Sequence, residues 1–316
     1  MAAALLCATA PALAACSAGD AALPWRDLYI VAGQSNAAGV ASVDDEPGLF
    51  GRDTRFANVQ IYGIHGAPTA VVDQDGQSSA AQVDWSALAG WHVAAPGFGI
   101  KSLAYYREFV RPQAEADALA GLFGPELAFA GQLAAQRPAE QHYLVKLAMP
   151  GVTLAAPADA TLAHWAPDGA LYRELLEMIA AAHASQAATA RLRVAGLLWM
   201  QGESDALQAD SAARYADNLT TFLQRLRGDL AALGCATDAD FPVVLGRIQD
   251  NPAWSERAQV REAQRAVSTR LPAVTLVDTD DFSAHLLPDG IHFAEAAQHA
   301  LGERMYRALF PTDETP

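Results

Sequence analysis

YIVAGQSNAAGV, Tyr29 to Val40, leaves an apolar run and at once sets Gly33, Gln34, Ser35 and Asn36 in a row. The run Leu28–Ala32 shows no polar alternation, the pattern of a strand covered on both faces. Strands of that kind belong to a parallel sheet with helices on each side. The rest of the chain repeats the arrangement. Tyr143–Ala148, Val194–Met200, Val243–Ile248 and Val274–Val277 read as further strands, and Pro125–Gln136, Leu171–Ala184, Ala212–Leu233, Ser255–Thr269 and Ala294–Leu309 as helices. Pro125 follows Gly124 at the first helical position, where a missing N–H costs little. The expected fold class is therefore α/β, with a central parallel sheet. One section, about 41–121, breaks the rhythm and reads as a long irregular insertion, rich in Gly, Pro, Asp and aromatics. Its Trp85, Trp91, His92, Tyr105 and Tyr106 argue for order. Of these, Trp85, Trp91, Tyr105 and Tyr106, with Trp165 beyond the insertion, could stack on a ligand or simply fill the core.

Composition narrows the function. The 316 residues carry a net charge of -15 and only two lysines, Lys101 and Lys146, so no basic run exists to neutralise nucleic-acid phosphates. The opening MAAALLCATAPALAAC lacks charged side chains and reads as an export signal, too short to span a bilayer as a typical helix. It ends in Leu13-Ala14-Ala15-Cys16, which resembles a bacterial lipobox. Residues 1–16 are thus expected to be a lipoprotein-type signal, with lipid on Cys16 as the only membrane attachment. Without lipidation, cleavage after Ala14 would release a secreted protein. A short linker (17–26) then leads into one domain (27–316). Cys7 would leave with the signal and Cys16 would carry lipid, which leaves Cys235 alone, with no internal disulfide and no metal cluster.

In a doubly wound sheet, sites form beyond the carboxyl ends of the strands. The first strand delivers Gly33-Gln34-Ser35-Asn36 there, the second MPGVT (Met149–Thr153), the third QGESDA (Gln201–Ala206) and the last a segment holding Asp289 and His292. These pieces suit acyl transfer. A serine hydroxyl needs a base, which His292 can supply, and Asp289 could orient the imidazole. The backbone N–H of Ser35, that of Gly151 and the side-chain amide of Gln201 could serve as oxyanion donors. Each piece also has a plain alternative: GQSN as a helix cap, Asp289-Gly290 as an ordinary turn, GESD as a solvated helix start.

GQSN, WMQGESD and DGIH, in this order, resemble the SGNH hydrolases, and within them the branch of sialate O-acetylesterases and carbohydrate esterase family six acetylxylan esterases. FGPELAFA (Phe123–Ala130), KLAMPGVTL (Lys146–Leu154) and HWAPDGALY (His164–Tyr172) extend the similarity over nearly all of the mature chain. The resemblance implies a three-layer α/β/α flavodoxin-like fold and hydrolysis of acetyl esters on sugar hydroxyls without metal or cofactor. It makes Ser35 the nucleophile, His292 the base, Asp289 its partner and Gln201 an oxyanion donor. Asn36, Glu203 and Asp205 would then hold the turn and the Gln201 loop. Two positions depart from the family pattern: Val152, where a second glycine is usual, and Ala37, where methionine is frequent.

Overall fold

The computed structural model describes residues 15–16, 19–45, 49–66, 85–159 and 162–311; the expected signal segment up to residue 14 lies outside them. The central strand is β1 (Trp25–Gly33), whose Leu28–Ala32 stretch is buried as its unbroken apolar pattern requires. It starts within the expected linker. On one side β1 pairs with β6 (His142–Ala148), and on the other with β7 (Arg191–Met200), both in parallel. Beyond β7 lie β9 (Val243–Gly246) and then β10 (Val274–Val277), with the short β8 (Ala236–Thr237) pairing β7 separately. The sheet order reverses around β1, so a crevice opens at the carboxyl ends of β1, β6 and β7.

The helices are α1 (Ser35–Ala38), α2 (Trp85–Leu88), α3 (Leu103–Phe109), α4 (Pro125–Gln136), α5 (Ala170–Gln186), α6 (Ala209–Ala232), α7 (Arg257–Arg270) and α8 (Glu295–Leu309). Among the described residues none is long and apolar enough to cross a membrane. Helix α4 follows the chain's FGPE signal, and Pro125 stands in its first turn. The carboxylate of Glu126 meets Lys146 on β6 at 2.5 Å, and the same ammonium donates to Ala38 O at 2.8 Å. This buried contact ties α4 and β6 to the end of α1, the helix that opens with Ser35.

Two expectations need correction. The section 41–121 is not an irregular insertion throughout. It contributes β3 (Phe56–Gly63), parallel to β6, and β4 (Gly90–Ala94), antiparallel to β3, so the sheet continues to an outer edge. Residues Ala41–Ser42 (β2) and Leu122–Phe123 (β5) also pair as a small ribbon. β4 is half exposed at the edge, and such a strand has no continuous apolar run to betray it.

The second correction concerns the cysteines. Cys16 and Cys235 are joined by a disulfide across a sequence separation of 219, and Cys16 N–H donates to Leu233 O at 2.9 Å. Cys235 therefore has a partner. The contact arises because the end of α6 returns the chain beside its own beginning, a proximity no local pattern carries. Chain entropy alone credits a loop of that length with about 5 kcal/mol, an upper figure. His183 lies beside the pair, its ring nitrogen and the two sulfurs all within 4.8 Å of one another. Bonded to each other, the sulfurs offer no thiolate for a metal. Nor can the Cys16 sulfur carry a thioether lipid while it is bonded to Cys235.

Candidate active site

The turn after β1 requires its glycine. Gly33 has φ +141, and a Cβ there would lie 2.0 Å from Met200 O on the neighbouring β7. Gln34 N–H donates to that same carbonyl at 2.9 Å. The polar amides that follow do not cap α1: Gln34 occupies the cap position and makes no side-chain cap bond. They reach across the sheet instead. Gln34 Oε1 accepts the N–H groups of Gly202 (3.3 Å) and Ser204 (3.2 Å). Asn36 Nδ2 donates to Glu203 Oε1 at 3.0 Å, and Asn36 Oδ1 accepts Phe293 N–H at 3.0 Å. Gln298 Nε2 on α8 donates to Asn36 O at 3.1 Å. One side chain, Asn36, thus joins all three motif loops, and Ser35 is held between its neighbours, buried, at the start of α1.

His292 arrives on a tight hairpin between β10 and α8. Gly290, at φ +70, closes it; Gly290 N–H donates to Leu287 O at 2.9 Å and Leu287 N–H to His292 O at 2.7 Å. Within the turn Asp289 Oδ1 accepts the N–H groups of Ile291 (2.9 Å) and His292 (3.0 Å), while Oδ2 lies 2.5 Å from His292 Nδ1. Burial works to raise the Asp289 pKa, but the bonds from His292 and the two backbone N–H groups outweigh it and leave the carboxyl below its ordinary value. An ionised Asp289 keeps the proton on Nδ1, so Nε2 is the open lone pair of the neutral ring.

That lone pair faces a residue expected only as a stacking or core aromatic. Tyr105, on α3, places its hydroxyl 3.1 Å from His292 Nε2. Burial, the larger influence, holds the phenol well above its ordinary pKa, and the nearby Ser35 hydroxyl works the other way. The phenol therefore stays protonated and donates to Nε2. Ser102 caps α3 by accepting Tyr105 N–H at 3.1 Å, and Leu103 and Tyr106 anchor the helix in the core. No local motif marks Tyr105, which lies 187 residues from His292. The cap-like Ser102 ahead of paired tyrosines was the one sequence signal available.

Gln201 is placed differently from the sequence expectation. Its amide donates to Asp205 Oδ2 at 2.6 Å and to Val152 O at 3.2 Å, while its own oxygen accepts Tyr215 Oη at 3.0 Å. Gln264 and Tyr215 both donate to its backbone carbonyl. With both amide hydrogens bound elsewhere, Gln201 braces the loop and is not an oxyanion donor in this geometry; the charged acceptor four residues ahead commands the amide. Asp205 also accepts Leu154 N–H at 2.8 Å and Ala155 N–H at 3.3 Å, so it joins the loops after β6 and β7. Gly151 turns the first of these loops, at φ +71. Glu203 is fully buried with Asn36 as its side-chain partner, and burial raises its pKa. Trp165 is core and donates to Gly33 O at 3.1 Å; Tyr106 is also core. Trp91 packs on Tyr62 and Tyr143 at the sheet edge, away from Ser35. The side chain of Trp85 lies outside the described residues.

A serine hydroxyl, an imidazole and the carboxylate bonded to it thus lie at the rim of β1, β6 and β7. A family model for the carbohydrate esterases known as sialic acid-specific acetylesterases matches residues 25–311. The chain belongs to this family. It is a serine-esterase type of hydrolase that acts on acetyl esters of carbohydrates. The acetylesterase aligns with an Arabidopsis thaliana protein of known structure at 19% identity, TM-score 0.61, covering 92% of this chain and 100% of that one. It aligns with NanS at 18% identity, TM-score 0.60, covering 91% and 97%. A carbohydrate acetylesterase from Xanthomonas citri gives 17% identity and TM-score 0.53, covering 89% of this chain and 55% of that one. At these identities the likeness is one of fold, the three-layer α/β/α arrangement. No curated protein sequence matches the acetylesterase.

Proposed function

We propose that this acetylesterase removes acetyl groups from sugar hydroxyls through an acyl-enzyme on Ser35, after export from the cytoplasm. The observation that carries the mechanism is the Asp289–His292 contact at 2.5 Å inside a hairpin bonded to Asn36, the neighbour of Ser35. Nε2 takes the Ser35 proton as Oγ attacks the acetyl carbonyl, and Asp289 stabilises the imidazolium. The N–H of Ser35, in the first turn of α1 where backbone donors lack intrahelical partners, and that of Gly151 would hold the oxyanion. Nε2–H then passes to the leaving sugar oxygen, and water repeats the sequence to release acetate. No step calls on a metal or cofactor.

A sugar substrate is supported by the rim as well as by the family. Phe109 is 44% exposed and packs against Tyr105 with ring centroids 4.6 Å apart. An exposed aromatic face beside Tyr105 suits the apolar face of a pyranose. Export is supported by the Cys16–Cys235 disulfide, since such bonds persist in oxidising compartments. That bond favours the released form over the lipid-anchored one, and the intact mass under non-reducing conditions distinguishes them.

The test of the reaction is acetate release from acetylated xylan and from O-acetylated sialic acid, beside Ser35→Ala. Release from at least one sugar that disappears in the variant is the expected result. Turnover of 4-nitrophenyl acetate alone would keep the esterase and remove the sugar.

A further inference from the structure

We propose that Tyr105 plugs the active site, its phenol oxygen standing where the oxygen of the leaving sugar must come. The inference rests on the serine-esterase reading above and adds a residue to it. In acyl transfer the base must reach two oxygens in turn, the nucleophile and the leaving group. An oxygen that already holds Nε2 therefore stands where one of these two must come. Tyr105 Oη is that oxygen, 3.1 Å from Nε2, with the Ser35 hydroxyl close by. It is an alcohol of the enzyme in the place of an alcohol of the substrate.

Two further observations fit a plug that moves. Tyr105 is half buried and belongs to α3, where Leu103 and Tyr106 fix the helix, so the phenol can swing while its helix stays. Its ring touches two partners, Phe109 at 4.6 Å and His292 at 5.9 Å between centroids. Phe109 is exposed, so a sugar ring that settles on it also displaces the ring beside it. Substrate binding and removal of the plug are then one event, and water meets a closed site between turnovers.

The alternative use of the same contact is a relay. Ser35 would pass its proton to the phenol oxygen while the phenol passes its own to Nε2, the tyrosine ending as it began. The two uses give opposite signs on removal of the hydroxyl. Tyr105→Phe keeps the ring and deletes the oxygen, so folding is conserved.

The experiment is the rate of covalent inactivation by a fluorophosphonate. Ser35 Oγ forms a bond to phosphorus, the P–F bond breaks with fluoride departing, and the Ser35 proton goes to His292. The expected result is inactivation about 3- to 10-fold faster in Tyr105→Phe than in the unmodified chain, the release of one or two neutral hydrogen bonds. KM for the acetylated sugar should fall while kcat changes little. Equal or slower inactivation in the variant overturns the plug, and a slower rate with lower kcat is the relay. Ser35→Ala, which must stay unlabelled, separates the two levels of failure. If neither the unmodified chain nor Tyr105→Phe is labelled at Ser35, the serine-esterase reading falls, and the plug with it.

Discussion

Asp289 and His292 lie three residues apart and settle one another through bonds inside a single hairpin. Ser35 lies in a turn whose flanking side chains bond to residues 167 to 257 positions away. The proposed base is built by local geometry, so any chain that makes the hairpin has it. The proposed nucleophile is placed by the whole fold, because Asn36 must find Glu203, Phe293 and Gln298 together. The difference teaches where to expect activity and stability to part company. Changes in the hairpin should act on rate alone, and changes around Ser35 on both.

The sharpest test compares the hairpin's two members. His292→Ala should lower kcat on 4-nitrophenyl acetate by about 10⁶-fold, and Asp289→Asn by about 10³–10⁴-fold, since the second keeps an imidazole but loses its orientation. Thermal stability should hold in both; equal losses of rate would mean that Asp289 does more than orient. Next comes Asn36→Ala. It leaves the Glu203 carboxylate and Phe293 N–H buried without that partner, and should cost about 2–4 kcal/mol in a denaturant titration. Unchanged stability there would show that the long-range bonds are idle and erase the contrast.

The smallest effect is expected of Glu203→Gln, which keeps an oxygen for Asn36 and removes a buried charge. Burial raises the Glu203 pKa above its ordinary 4.5, so between that value and the raised one the folded state holds a proton that the unfolded chain has released, and above both the charge is buried. Stability from this group is full below about that pH and declines as pH rises through the raised value. The variant should therefore melt at or above the unmodified protein at neutral pH, with the gap closing near pH 4. A gap that widens toward acid would reverse the sign and the account.

Most of the sheet was legible because its strands are covered on both faces and so are apolar throughout. Helix α4 could be read to the residue, from Gly124-Pro125 to Gln136. The strands β3 and β4 were not legible, since Asn58 and Gln60 interrupt the apolar run of β3, β4 is half exposed at the edge, and the segment around them is full of turn formers. Ser35, Asp289 and His292 were visible as motifs, and the structure brings them to one rim. The direction of the Gln201 amide was not visible, although its cause is in the same motif: Asp205 stands four residues on and binds it. Tyr105 and the Cys16–Cys235 bond escaped for a common reason. Each depends on a meeting of residues about 190 or more apart, with nothing in either neighbourhood to announce the other.

The disulfide also turns protein synthesis into a race. Cys16 leaves the ribosome 219 residues ahead of Cys235, an interval of about 10–40 s at ordinary rates of elongation. Throughout that time its partner in the fold has yet to be made, and the thiol is open to other chemistry. Only a chain that passes this interval untouched can close the bond. The clasp between the two ends of this interval can therefore close only after most of the domain has been made.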